Sequence, residues 1–270
     1  MRALTLAGVR FSLRDDERWS LDPEDAELSL PADAQPVVAR VQLQIDADPA
    51  LSPHGDRGIG WQIEGTRVRV RSRGVRAELQ RRADGSYAGQ ARVSSGSSTL
   101  SALLNATACA LIDAAGGLIL HAVALTDGQH TAALIGPPDA GKTTAANLCA
   151  GLRWVARDRL AVAPLQGRAL CWALAGGEPL AIPQHAGGGL PLTSIVRVER
   201  TAGGQPGPTR VQRVDAATAA LLLRESIHAP EGADEGILLE RALWLCDATT
   251  VARLRSPLDA PLPVDILLRP

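Results

Sequence analysis

The chain has 270 residues, 46% of them hydrophobic and 21% charged, with a formal net charge of −1. That balance describes a soluble globular protein of one large or two modest domains, and nothing in it calls for a nucleic-acid partner. Aromatic residues are only 3% of the chain, so Leu, Val, Ile and Ala must build the core, and Cys109, Cys149, Cys171 and Cys246 have no CxxC pairing, which excludes a disulfide frame or a cysteine zinc site.

The N-terminal apolar run is too short for a secretory signal and is interrupted by Arg10, so a cytoplasmic location is expected. From residue 1 to about 95 the signal is period two, the alternation of half-buried strands. Val41 to Ile45, Trp61 to Ile63 and Val68 to Val70 alternate cleanly, and Val75 to Arg82 and Tyr87 to Ser94 flank the turn Asp84-Gly85 as a hairpin. Pro49, Pro53 and the glycines between 55 and 60 mark a loop. The expectation is an antiparallel, β-rich region over residues 1–97. Its arginines at 67, 69, 71, 73 and 76 lie mostly on alternate positions, which makes them one solvated face. With Tyr87 the one aromatic on the hairpin strands, base stacking is not expected.

Leu100 to Leu125 contains no lysine or arginine and is long enough to span a bilayer. Asn105, Asp113 and His121 interrupt it and Gly116-Gly117 divides it, so it reads instead as a buried helix, Leu100 to Ala114, capped from Ser97, Ser98 or Thr99, followed by a buried strand, Leu118 to Leu125. No membrane association is expected.

After a turn at Asp127-Gly128, the strand Ala132 to Ile135 leads into Gly136-Pro137-Pro138-Asp139-Ala140-Gly141-Lys142-Thr143, which fits the phosphate-loop pattern of a glycine, four free positions and Gly-Lys-Thr. Its glycines let the backbone curl with the amides inward, where Asp139, Ala140 and Gly141 can cradle phosphate oxygens. Lys142 would reach the β- and γ-phosphates and Thr143 would ligate magnesium. Thr144 to Ala150 reads as the following helix. Of 28 basic residues Lys142 is the single lysine, at the one place where a compact, flexible ammonium is wanted.

Beyond the loop, Leu152 to Ala156 is a short strand closing on Arg157-Asp158, and Leu160 to Ala163 another. A carboxylate at the end of a neighbouring strand is the usual second magnesium ligand, and Asp158 is the obvious one. Cys171 to Leu174 and Thr193 to Glu199 read as strands, with glycine-rich turns near Gly176 and Gly187 and a surface loop over Thr201 to Pro208. Val214 to Ser226 has helical spacing with Asp215 as its cap, and the final strands are expected at Ala242 to Cys246 and Val251 to Leu254. Leu174 to Glu178, LAGGE, resembles an ABC-transporter signature peptide, but it follows Asp158 and runs into Pro179, so it reads as a turn. His54, His130, His185 and His228 read as surface or packing residues, His185 standing out beside Gly187 to Gly189.

Gly117 to Ala122, the turn at Asp127-Gly128, the loop Gly136 to Thr144, Ala156-Arg157-Asp158, Ile182-Pro183 and Pro191 to Glu199 together resemble the HPr kinase/phosphorylase-like proteins over roughly residues 98 to 260. The resemblance implies an α/β fold, a phosphoenolpyruvate carboxykinase-like P-loop core with a mixed sheet over residues 98–270, preceded by the β-rich region. It implies ATP and Mg2+ as cofactors and a kinase acting on a hydroxyl of a peptide, protein or small molecule, in the setting of modified-peptide biosynthesis, with self-association into a homo-oligomer. Gly136, Gly141, Lys142, Thr143 and Thr144 would hold phosphates, Asp158 magnesium, and His121 would lie near the transferred phosphate, unless it is a hydrogen-bonded core histidine. One position departs from the family pattern of two adjacent aspartates: Arg157 replaces the carboxylate that serves as base, and a guanidinium cannot accept a proton. Arg157 could instead stabilise the γ-phosphate while His121 or Asp158 handles the proton, the acceptor could arrive already ionised, or the chain could be a nucleotide-binding accessory protein with little turnover.

Overall fold

The computed structural model describes residues 2–14, 38–52, 59–94, 99–174, 189–200, 209–230, 232–257 and 261–269. The expected turns near Gly176 and Gly187, the LAGGE stretch beyond Leu174, Ile182-Pro183, the loop Thr201–Pro208, and Pro53, His54, Ser97, Ser98 and His185 lie outside the described residues. The chain is a mixed α/β protein with two mixed sheets and few helices, and it divides into two units, essentially Met1–Gly117 and Leu118–Pro270.

In the first unit the period-two alternation is realised as seven strands: β1 (Arg2–Leu6), β2 (Val9–Arg14), β3 (Ala39–Ala47), β4 (Gly60–Glu64), β5 (Arg67–Ser72), β6 (Val75–Arg81) and β7 (Tyr87–Val93). They are ordered β1-β2-β3-β7-β6-β5-β4. The expected hairpin at Asp84-Gly85 is β6 and β7. The sheet is not wholly antiparallel, because β3 runs parallel to both β2 and β7. Alternation reports which face a residue takes but not the direction of its neighbour, so that error was built into the signal.

One face of this sheet carries Phe11, Leu43, Val68, Leu79 and Val93, all buried, and packs against α1 (Thr99–Ala114). Leu103, Leu104, Leu111 and Ile112 of the helix are fully buried, each contributing roughly 1.5–3 kcal/mol. Its one buried carboxylate, Asp113, accepts a 2.7 Å hydrogen bond from Trp61 Nε1, which meets the requirement that a buried polar group be paired. This packing assigns α1 to the first unit, whose main segment runs to Gly117.

The second unit contains β8 (Leu118–His121), β9 (Val123–Thr126), β10 (Thr131–Ile135), α2 (Lys142–Asn147), β11 (Arg153–Ala156), β12 (Arg159–Leu165), β13 (Arg168–Ala173), β14 (Leu190–Arg200), β15 (Arg210–Arg213), α3 (Ala216–Arg224), α4 (Glu235–Ala248), β16 (Thr250–Ser256) and α5 (Val264–Leu268). The long β14 is its axis: β10 and β16 lie parallel on either side of its later part, and β13 pairs antiparallel with its start. Alternation along β10 divides the core in two. Ala133 and Ile135 face a cluster closed by Leu223 of α3 and Leu238, Ala242 and Leu245 of α4. Ala132 and Leu134 face a cluster closed by Ala145 and Ala146 of α2 and Leu267 of α5.

Three expectations are corrected here. Ala242 to Cys246 is the middle of α4, where Leu238, Ala242 and Leu245 form a buried stripe at helical spacing. The helix after the loop begins at Lys142 and ends at Asn147, earlier and shorter than expected. Leu118 to Leu125 is two strands broken at Ala122, with β8 paired to β12, and β9 to β10 and β11. Among the described residues no helix is long and apolar enough to cross a membrane.

Candidate functional site

β10 is buried along its whole length and delivers Gly136 at its carboxyl end. Gly136 has φ +145°, and a Cβ there would lie 3.0 Å from the Val198 carbonyl oxygen and 3.2 Å from Ala140 Cβ, so only glycine fits between the loop and β14. Asp139 and Gly141 also have positive φ, 60° and 94°, and carry the chain around to α2. Lys142 bends back over this curl: its Nζ donates to the carbonyl oxygens of Gly136 at 2.9 Å and Pro137 at 3.1 Å. Burial pushes its ammonium below the ordinary lysine range, and the carboxylates of Asp158 and Asp139 oppose that shift. The Asp158 charge is therefore felt at the loop lysine. Thr143 and Thr144 are exposed at the start of α2, hydroxyls available to solvent.

Topology brings His121 and Asp158 to the same edge. β9 is antiparallel to both β10 and β11, with Val123 opposite Leu134 and Ala124 opposite Ala156. The carboxyl ends of β10 and β11 therefore lie beside the amino end of β9. The break at Ala122 falls at that edge, and there the Ala122 N–H donates to the Asp158 carbonyl at 2.9 Å while the His121 N–H donates to the Ser226 carbonyl at 2.7 Å. With both backbones pinned, His121 Nδ1 stands 3.0 Å from Asp158 Oδ1, and Arg159 Nε lies 3.6 Å from the other oxygen. Both side chains of the pair are about half exposed, with values of 45% and 52%, so the imidazole is open to a substrate and is not a buried core histidine. An ion pair this exposed is worth about 0–1 kcal/mol, which makes its consequence orientation and not stability.

Arg157 goes elsewhere. The register along β11 slips between Trp154, opposite Leu125, and Ala156, opposite Ala124, so Val155 is an extra residue in the ladder. Val155 and Ala156 both face the core closed by α3 and α4, whereas Trp154 packs with the core closed by α2. In a regular strand Trp154 and Arg157 would face opposite sides; the bulge puts them on the same one. The Arg157 guanidinium carbon lies 4.8 Å from the centroid of the Trp154 ring, a cation–π stack.

The structure thus gathers Lys142, Asp139, Asp158 and His121 around the loop, with Thr143 and Thr144 beside them, and turns Arg157 onto an indole. Thr143 hydroxyl and Asp158 carboxylate are hard oxygen donors of the kind magnesium takes. Among the described residues no group of three or more His, Cys, Asp and Glu side chains is arranged to hold a metal unaided. Sequence reading missed an ionic network beside the loop: Arg197, in register with Ile135, pairs with Glu225, while Glu199 lies 2.9 Å from Arg255 and 3.5 Å from Arg253. The alternating charges of Arg197 and Glu199 were its signal, but only strand pairing reveals the partners. His130 makes a local contact with Asp127 at 3.2 Å in the β9–β10 turn, in keeping with a surface role. No protein-family model matches the chain, and no curated protein matches it.

Proposed function

We propose that the second unit is a phosphoenolpyruvate carboxykinase-like P-loop core that binds ATP with magnesium and transfers the terminal phosphate to a hydroxyl of a peptide, protein or small molecule, in the manner of the HPr-kinase-like proteins it resembles. The observation that carries this reading is the His121–Asp158 pair at the edge where Gly136 opens the loop. In the reading, the loop amides and Lys142 hold the phosphates, Lys142 exchanging its two carbonyl partners for phosphate oxygens. Thr143 and Asp158 would hold magnesium, which would supply charge neutralisation. Asp158 keeps the imidazole of His121 turned by its Nδ1, which leaves Nε2 to accept the acceptor's proton as the new P–O bond forms. Arg157 takes no part in proton transfer, since its guanidinium lies on Trp154. The absence of any disulfide among the four cysteines supports a cytoplasmic setting.

A second reading, a nucleotide-binding accessory protein with little turnover, is favoured by one observation: the residue beside Asp158 is a guanidinium where the family pattern has a base. Binding and turnover separate the two. ATP, ADP and GTP are titrated with magnesium into wild type and Lys142→Ala. Loss of charge-assisted contacts of roughly 1.5–3 kcal/mol predicts affinity lower by about tenfold to a hundredfold. Unchanged affinity would remove the loop from the proposal. Tight binding with no phosphate release and no transfer would favour the accessory reading.

A further inference from the structure

The sheet of the first unit has one face under α1 and one face exposed, and the exposed face is an array of guanidinium groups in register. Along β5, Arg67, Arg69 and Arg71 are all exposed and share that face. Across the strands Arg71 stands opposite Arg76 and Arg76 opposite Arg92, so three arginines lie side by side on β5, β6 and β7. Away from this row, beyond the Tyr87 end of β7, Arg10 of β2 stands opposite Arg40 of β3. Like charges directly opposite one another are destabilising, and a sheet face with no role beyond solubility has no reason to keep three such pairs. The carboxylates interleaved on the described strands are Glu64 and Glu78, which pair with Arg69 at 3.1 Å and Arg67 at 3.0 Å, and Asp46, which stands directly opposite Arg92 at the end of the row. The other end of the row is Gly60, where a Cβ would meet Arg71 Nε at 3.1 Å and Cγ at 3.3 Å, so the missing side chain is what lets Arg71 lie flat against the sheet.

We propose that this face, centred on Arg71, Arg76 and Arg92, docks an acidic polypeptide segment. Arginine recognises carboxylates through paired N–H donors, and Gln44, Gln80 and Gln90 on the same face add amides that both donate to and accept from a peptide backbone. Spacing suits an extended chain: alternate residues of a strand are about 6.7 Å apart, the separation of successive arginines along β5. Nucleic acid suits the face less well. The aromatic residues of these strands, Phe11, Trp61 and Tyr87, are all buried, which leaves no ring for base stacking. A duplex presents a charge about every 1.7 Å and would meet Glu64 and Glu78 among the arginines, whereas a peptide carries discrete carboxylates with neutral residues between.

The test is fluorescence anisotropy on the full chain with a labelled oligo-glutamate peptide, an oligo-lysine peptide, a single-stranded oligonucleotide and a duplex, at low and physiological salt. Oligo-glutamate is expected to bind, more weakly as salt rises. The triple variant Arg71→Gln/Arg76→Gln/Arg92→Gln weakens it at least about tenfold, Glu64→Gln/Glu78→Gln strengthens it, and Arg168→Gln on the exposed start of β13 leaves it unchanged. The thermal midpoint of the triple variant is recorded alongside, so that its loss of binding is read on folded protein. Absence of oligo-glutamate binding at low salt, tighter binding of either nucleic acid, or an equal loss in Arg168→Gln overturns the proposal. The measurement involves neither nucleotide nor Lys142, so it stands or falls separately from phosphoryl transfer.

Discussion

Replacing Arg157 by aspartate distinguishes two accounts of the end of β11. If the bulge at Val155 fixes position 157 on the indole side, the new carboxylate lies over Trp154 and not beside the acceptor. The substitution then removes a cation–π stack worth about 0.5–1 kcal/mol at an exposed site, or a fall of roughly 1–4 °C in thermal midpoint. Phosphate release from ATP and magnesium, with water as acceptor, should stay within about threefold of wild type. A general base in the right place contributes typically 10²–10⁴-fold, so the alternative outcome is easily resolved. A rise of about a hundredfold or more would refute the argument from the bulge. His121→Ala should lower release by about a hundredfold or more, and Arg157→Asp added to it should recover none of that loss.

Gly136→Ala forces a Cβ against Val198 and Ala140 at φ +145°, for which a strain of about 1–3 kcal/mol is expected; calorimetry should show a lower midpoint and nucleotide titration a weaker affinity. Gly89→Ala would put a Cβ 2.0 Å from the Glu78 carbonyl oxygen, and denaturant unfolding should report a loss of about 1–3 kcal/mol or more as β6 and β7 separate. Burial pushes the Cys149 and Cys246 thiols up to about 11 and that of Cys171 to about 12, from an ordinary value near 9.0. Folding that holds these protons more tightly is favoured in full below pH 9 and loses that advantage as pH rises through about 11 to 12. Native protein at pH 8 should therefore alkylate slowly, with Cys171 slowest; rapid labelling of Cys171 without unfolding contradicts this.

Regular elements were legible in the sequence because their periods were. Alternation located β3 to β7, a helical pattern with Asp215 at its cap located α3, and the phosphate-loop spacing located the turn after β10. Two kinds of feature were not. Ala242 to Cys246 is too short an apolar run to distinguish a strand from one turn of a helix stripe, and tertiary packing on Val251 and its neighbours decided it. Pairing direction, as with β3, is set by neighbours remote in the chain. The site was half legible: its residue types and order were readable, but the orientation of Arg157 was not, because one inserted residue reverses the facing of everything after it.

Under the proposed phosphoryl transfer, that reversal has a purpose at the edge around His121 and Asp158. An unbroken strand from Leu118 to Leu125 would be the simpler way to use such an apolar run, and an unbulged β11 would keep its ladder intact. Both regularities are given up at the same edge, where the Ala122 N–H meets the Asp158 carbonyl at 2.9 Å. What is gained is a half-exposed pair worth about 1 kcal/mol at most, and a guanidinium withdrawn onto an indole. Stability does not account for that exchange, since a regular ladder with apolar side chains would supply more of it. Positioning does: one irregularity ends β8 so that His121 lies at the mouth of the loop, and the other turns Asp158 toward it and Arg157 away.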